Sequence, residues 1–380
     1  MSASLKFFLF TLLVAFLFVV GGRSQSVPSS FKSADRYVVL AARNVSDLEK
    51  GLARAASDGY HVVAFASNMK GDYASGWTAI LERNVSGVGN YDYQILDNQQ
   101  IGLSERVNKL ATSGFRVVPR GAFEQMGHDY GRDYTHTLSE GFWDHVLHGP
   151  DYIDKSDHTK FDTYRKYVLM EKRADAEDLH CRYSLVRPYH TAALENASHG
   201  INRVAVAEGS MWLFENCVTP FKDDPTPFVP LSIRTALLSG DPFMDQKKLD
   251  EAVADGFRIS YAAGPQLTLE KSGSQVTSLE YRPFADKSAT ELQEQLNSRD
   301  HFRLIPGSLW LKRSSWSSSK LFGLVERIGG STNAYRYKVL HKGTGENLQK
   351  ALNQEAAKGY EVRDMVRDST SVHVILEASN

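Results

Sequence analysis

Five of the chain's twelve histidines, His128, His136, His145, His148 and His158, fall between Met126 and Arg165, interleaved with Asp129, Asp133, Asp144, Asp151, Asp154 and Asp157. Imidazole and carboxylate together are donors that a divalent transition metal accepts. A short helix from Ser139 to His148, with Phe142 and Val146 inward and Gly149 at its end, would set His145 and His148 three residues apart on one face. They could then share an ion, with His136, Asp133 and Asp144 as further donors. No established ligand spacing is present, however. The same composition, flanked by Tyr130, Tyr134 and Tyr152, suits a solvated polar lid or a ligand-binding loop with Tyr130 and Tyr134 as contacts.

Other chemistry is sparser. There is no glycine-rich phosphate loop, no nucleophile elbow and no paired-cysteine zinc motif. Trp316, inside the serine-rich stretch Ser314 to Ser319, reads as an exposed aromatic on a loop tip and a further binding candidate. The two cysteines, Cys181 and Cys217, bracket one compact segment. In an oxidising compartment they are expected to form a disulfide rather than a nucleophilic site. Arg203 with Glu215 and Arg258 with Glu270 share a spacing of 12 residues across a short turn, which places each pair opposite on a hairpin as a structural ion pair. Arg116 with Glu171 and Arg303 with Glu326 fit the same pairing across longer connections. Asn44, Asn84 and Asn196 lie in glycosylation sequons.

The elements that would carry these residues recur. Near the C-terminus Tyr335, Tyr337 and Val339 alternate with Arg336 and Lys338, the period of a half-buried strand. Leu348, Leu352 and Ala356 follow at helical spacing, and Gly359 ends that helix. A strand from Tyr360 through Val362 and another from Val372 to Glu377 complete a βαββ unit. The same order is read six times, over 35–84, 90–173 (with an insertion at 126–165), 180–217, 227–272, 278–328 and 334–379. The first copy starts its helix at a capping box, Ser46 and Glu49, and the fourth starts at Phe228 and Leu231. In the fifth, Asp300-His301-Phe302 replaces the glycine-aromatic junction, so its helix must end differently. Glutamates 82, 171, 215, 270, 326 and 377 close the third strands and would converge if the copies formed a circle.

The pattern of the last copy, Tyr335-Arg336-Tyr337, Leu348, Leu352, Gly359-Tyr360-Glu361-Val362 and Val372 to Glu377, resembles a family of small bacterial βαββ domains of unknown function. That resemblance implies a fold and a bacterial source, and it brings no catalytic residues.

Lys6, the apolar run Phe7 to Val20 and small residues through Ser26 outline a cleavable signal peptide over 1–26. The run is shorter than the ~20 residues a spanning helix needs. The formal net charge is −1, with no long run of either sign, so nucleic acid is not an expected partner. The expectation is therefore an α+β protein of six tandem repeats with helices on one face of each sheet, paired into lobes or closed in a ring. It would be secreted or periplasmic and act as a binding or structural module for an extracytoplasmic protein or ligand. No cofactor is expected. The alternative is a metal-dependent enzyme built on the insertion, using a divalent transition metal.

Overall fold

The structure is a computed structural model that describes residues 35–70, 73–84, 91–97, 102–129, 161–173, 180–186, 203–208, 211–218, 232–271, 278–286, 288–299, 301–314, 317–368 and 371–379. The apolar N-terminal segment and most of the histidine-rich insertion lie outside them. No helix among the described residues is long and apolar enough to cross a membrane.

The fold is α+β, with strands predominating. The first segment contributes β1 (Tyr37–Ala42), α1 (Val45–Ser57), β2 (Tyr60–Lys70) and β3 (Tyr73–Arg83). The second contributes β4 (Tyr91–Asp97), α2 (Leu103–Thr112), β5 (Phe115–Asp129) and β6 (Phe161–Arg173). The third has β7 (His180–Val186), β8 (Arg203–Glu208) and β9 (Met211–Val218). The fourth has β10 (Ser232–Leu237), α3 (Pro242–Ala254), β11 (Phe257–Ala263) and β12 (Gln266–Lys271). In the fifth come β13 (Leu279–Asp286), α4 (Ala289–Asn297), β14 (Arg303–Leu304), β15 (Trp310–Ser314) and β16 (Ser317–Ile328). The last holds β17 (Tyr335–Gly343), α5 (Glu346–Ala356), β18 (Glu361–Arg367) and β19 (Ser371–Ser379).

In every segment the closing strand sits in the middle, antiparallel to both the first and the second strand. One parallel bridge, Ala74↔Gln125, joins the first two sheets into six strands. Helix ends obey the local chemistry. Gly59, Gly114, Gly256 and Gly359 take φ between 80° and 89° where a helix turns into a strand, a region costly for residues with a Cβ. In the fifth segment His301 takes that conformation instead, at φ 69°.

Several boundaries differ from the sequence reading. The N-cap of α1 is Asn44, whose side chain accepts from the Asp47 N–H at 2.8 Å, two residues ahead of the Ser46 box. The fourth segment's first strand is Ser232–Leu237, and Phe228 and Leu231 lie outside the described residues. Ser314 pairs with Ser317, so β15 and β16 meet at this stretch, and residues 315 and 316 between them lie outside the described residues. The ends of the 126–165 insertion are strand as well, with Met126↔Tyr164 and Asp129↔Phe161 extending the ladder into an arm.

The cores explain why each helix is amphipathic on more than one side. Leu48 and Leu52 of α1 pack with Val38, Leu40 and Leu81 of their own sheet, and the same cluster takes in Tyr93 and Ile95 of β4. Leu292 and Leu296 of α4 share a core with Phe284 of β13 and with Tyr337 and Val339 of β17. Each of these helices is thus wedged between its own sheet and the next. The last helix follows the rule: Leu348 and Leu352 of α5 pack on Tyr37, Val39 and Ile80 at the other end of the chain.

Candidate functional site: the cavity where the second strands meet

Amide side chains seal the joints between segments. Asn297 of α4 accepts from the Tyr337 N–H at 2.7 Å and donates to its carbonyl at 3.1 Å, while Gln293 accepts from Val339 N–H at 3.1 Å. Asn353 and Gln349 of α5 do the same for Tyr37 and Val39. Asn108 of α2 does so for Tyr183. These bonds satisfy backbone groups on edge strands that the ladder leaves open.

A tyrosine then reaches inward from five of the joints. The hydroxyls of Tyr37, Tyr93, Tyr183, Tyr281 and Tyr337 accept from the backbone N–H of Val362, Val62, Val117, Ile259 and Leu304, respectively, at 2.7–3.3 Å. Burial and, in each case, a nearby glutamate push all five phenols above their ordinary range. In the fourth segment the equivalent position, opposite Glu270, is Ile233.

Each of these N–H donors lies where the second strand departs from regular pairing. The register slips between Val62 and Ala64, Val204 and Val206, Ile259 and Tyr261, and Val362 and Asp364. It slips by a longer stretch between Val117 and Ala122. In the fifth segment residues 305–309 separate β14 from β15. A bulge inserts an unpaired residue and re-aims its side chain. Repeating the device in successive second strands directs the irregular residues to one place.

That place is a cavity of about 530 Å³ whose wall includes Ala64, Arg116, Glu215, Ser260, Ile305 and Arg363, so all six segments contribute. Its volume falls within the ~300–1,000 Å³ of small-molecule sites, and its wall combines apolar side chains with charged groups of both signs. The second strands contact one another in turn, β2 with β5, β5 with β8, β8 with β11, β15 with β18, and β18 with β2. Gly264 N–H to Gly307 O, 2.7 Å, links the fourth to the fifth.

Arg120 spans the centre. It holds φ 59°, unfavourable for a side chain of its size. Its guanidinium donates to Asp364 Oδ1 and Met365 O, both at 2.8 Å, to Leu309 O at 2.8 Å and to Gly307 O. Asp364 is buried and also accepts from Leu309 N–H and Met365 N–H. Burial raises its carboxyl above the usual range, opposed by Arg120. Glu215 accepts from the Tyr183 hydroxyl. Glu326 accepts no hydrogen bond among the described residues; burial raises its carboxyl, against the pull of Arg363, Arg303 and Arg258. Arg363, at the last bulge, donates to Leu304 O at 3.3 Å and lies 3.6 Å from Glu377, which Arg303 already holds at 2.9 Å. Among the described residues Arg116 bonds only carbonyl oxygens, Ala111 O and Phe115 O, both through Nη1.

The residues singled out in the sequence are distributed differently. Tyr130, Tyr134, His136, Asp144, His145, His148 and Trp316 lie outside the described residues, and no cluster of three metal-ligating side chains occurs among those described. Cys181 stands directly opposite Cys217 across β7 and β9. Arg258 and Glu270 are in register and 4.0 Å apart. Arg203 and Glu215 share that register. Arg116 and Arg303 are in register with Glu171 and Glu326 but bond elsewhere, because Glu171 is taken by Arg173 and Tyr93, and Arg303 reaches the next segment's Glu377. The six closing glutamates do not form a bare acidic ring, since each faces a cation or a phenol; Glu82, for example, is held by Arg36 at 2.6 Å. The bulge residues and Arg120 were not legible in advance, although the tyrosine opposite five of the six closing glutamates was a visible signal. The chain matches no family model, no curated protein and no solved structure.

Proposed function

We propose that this is an exported binding module of six tandem βαββ repeats closed in a ring, with a small-molecule site in the cavity at the ring's centre. The observation that carries the reading is that side chains from all six segments line one cavity of about 530 Å³. A scaffold needing only stability would fill such a space, because empty volume in a core is destabilising. Support for the ring comes from the joint between α5 and β1, which uses the same amide and tyrosine bonds as the joint between α4 and β17. The likeness of the last segment to small bacterial βαββ domains fits the same picture, with export suggested by the N-terminal apolar run.

Thermal-shift screening of the purified protein against a small-molecule library tests the site, with Ser260→Phe as the filled-cavity control. Compounds that raise Tm in the parent and lose their effect in the variant are expected. If none stabilises the parent, and Ser260→Phe unfolds at the same temperature or higher, the cavity is a packing void and the scaffold role stands alone.

A further inference from the structure

Charge on the cavity wall is unevenly satisfied. Three acidic groups and three arginines line it. Asp364 is neutralised by Arg120 and two backbone N–H groups, and Glu215 accepts from Tyr183. Glu326 has no hydrogen bond among the described residues, but it sits in the field of three arginines. The cations are less well served. Arg116 has no carboxylate partner among the described residues, and its Nη2 and Nε make no bond there. Arg363 engages through Nε alone, sharing a glutamate that Arg303 holds more closely. Two guanidinium groups thus line one cavity, each with N–H donors that make no bond among the described residues.

The guanidinium fork matches a planar oxyanion with two parallel hydrogen bonds, which a neutral amide or an ammonium group cannot reproduce. Much of the rest of the wall is apolar: Val63, Val117, Ile259 and Ile305 line it. Building on the reading of the cavity as a ligand site, we infer that its ligand is a small organic carboxylate, held at its charged end by Arg116 and Arg363 and along its body by these apolar side chains. Inorganic phosphate presents the same kind of oxygens but has no apolar body to cover the aliphatic wall.

Calorimetric titration of the full chain with a matched series decides this: phenylacetate, phenylacetamide, phenethylamine and inorganic phosphate. Phenylacetate is expected to bind at least tenfold more tightly than the other three. Arg116→Met and Arg363→Met should each weaken it tenfold or more, with the far-ultraviolet circular dichroism of the parent retained. Arg363→Lys should recover part of the loss, and Glu326→Gln should leave binding unchanged or tighter. If the amide, the amine or phosphate binds as tightly as the carboxylate, or Glu326→Gln abolishes binding, the carboxylate assignment is overturned while the cavity survives as a site. If none of the four binds and the library screen is also silent, the cavity reading itself is wrong.

Discussion

Arg120 and Asp364 are 244 residues apart in sequence and 2.8 Å apart at the centre of the molecule. The ion pair joins the second segment to the sixth, and through Gly307 O and Leu309 O the same guanidinium ties in the fifth. Removing one partner of a buried pair leaves a charge without compensation, at a cost of about 3–5 kcal/mol. Arg120→Met is therefore expected to lower stability by that order in urea unfolding. The double variant Arg120→Met with Asp364→Leu should regain much of it. A loss in the double variant equal to that in the single one would show that the carbonyl bonds, and not the charge pair, hold the centre.

The inward tyrosines make a second prediction. Tyr337 Oη accepts from the buried Leu304 N–H at 2.8 Å. Tyr337→Phe keeps the ring's packing and orphans that donor, which costs about 1–3 kcal/mol. Hydrogen exchange at Leu304 should quicken in step. Unchanged exchange there would mean that the hydroxyl is not the group protecting this amide.

A third concerns acid stability. His373 stacks on His341 with ring centroids 4.2 Å apart, and burial, then the neighbouring imidazole, lower its pKa to about 4, with Asp368 pulling the other way. In the unfolded chain it takes a proton near the ordinary value of 6.5. The unfolded state binds the proton first, so stability is complete above ~6.5 and declines as pH falls toward 4, by on the order of 3 kcal/mol. His373→Phe should keep the stack and flatten this part of the profile, read from urea midpoints between pH 7.5 and 4. An equal slope in parent and variant would remove His373 as the cause.

The cysteine pair is the fourth. With Cys181 and Cys217 opposite on neighbouring strands, a disulfide is the expected state under the proposed export. Alkylation followed by mass spectrometry should find no reactive thiol until reductant is added, and reduction should cost about 2–4 kcal/mol of stability. Two alkylated cysteines in the native, unreduced protein would contradict it.

Much of the scaffold was legible because it rests on local rules. Alternation at Tyr335 to Val339, leucines four apart at 348 and 352, and Gly359 after them each correspond to one element with one physical cause. The cavity was not, because its side chains sit where local rules break. Arg363 occupies an extra residue in β18, so a period of two counts it as an ordinary strand position. Arg120 adopts a backbone conformation that its residue type does not announce, and its four partners come from segments far away in the chain. His301 is an intermediate case. The missing glycine was visible, but its replacement in the left-handed region, with Nδ1 3.0 Å from Asn333 O, depends on a neighbouring turn.

The joint in which Asn353 grips both backbone groups of Tyr37 has a consequence for how such a protein can evolve. A chain whose last helix docks only on solvent can gain or lose a unit at its end. Here the last helix is complementary to the first strand, so duplicating or deleting one unit would leave the two ends at the wrong angle to meet. In the proposed ring, copy number is locked by geometry, and change is diverted into the loops and bulges of units already present. The long arm of β5 and β6 is what that diversion looks like.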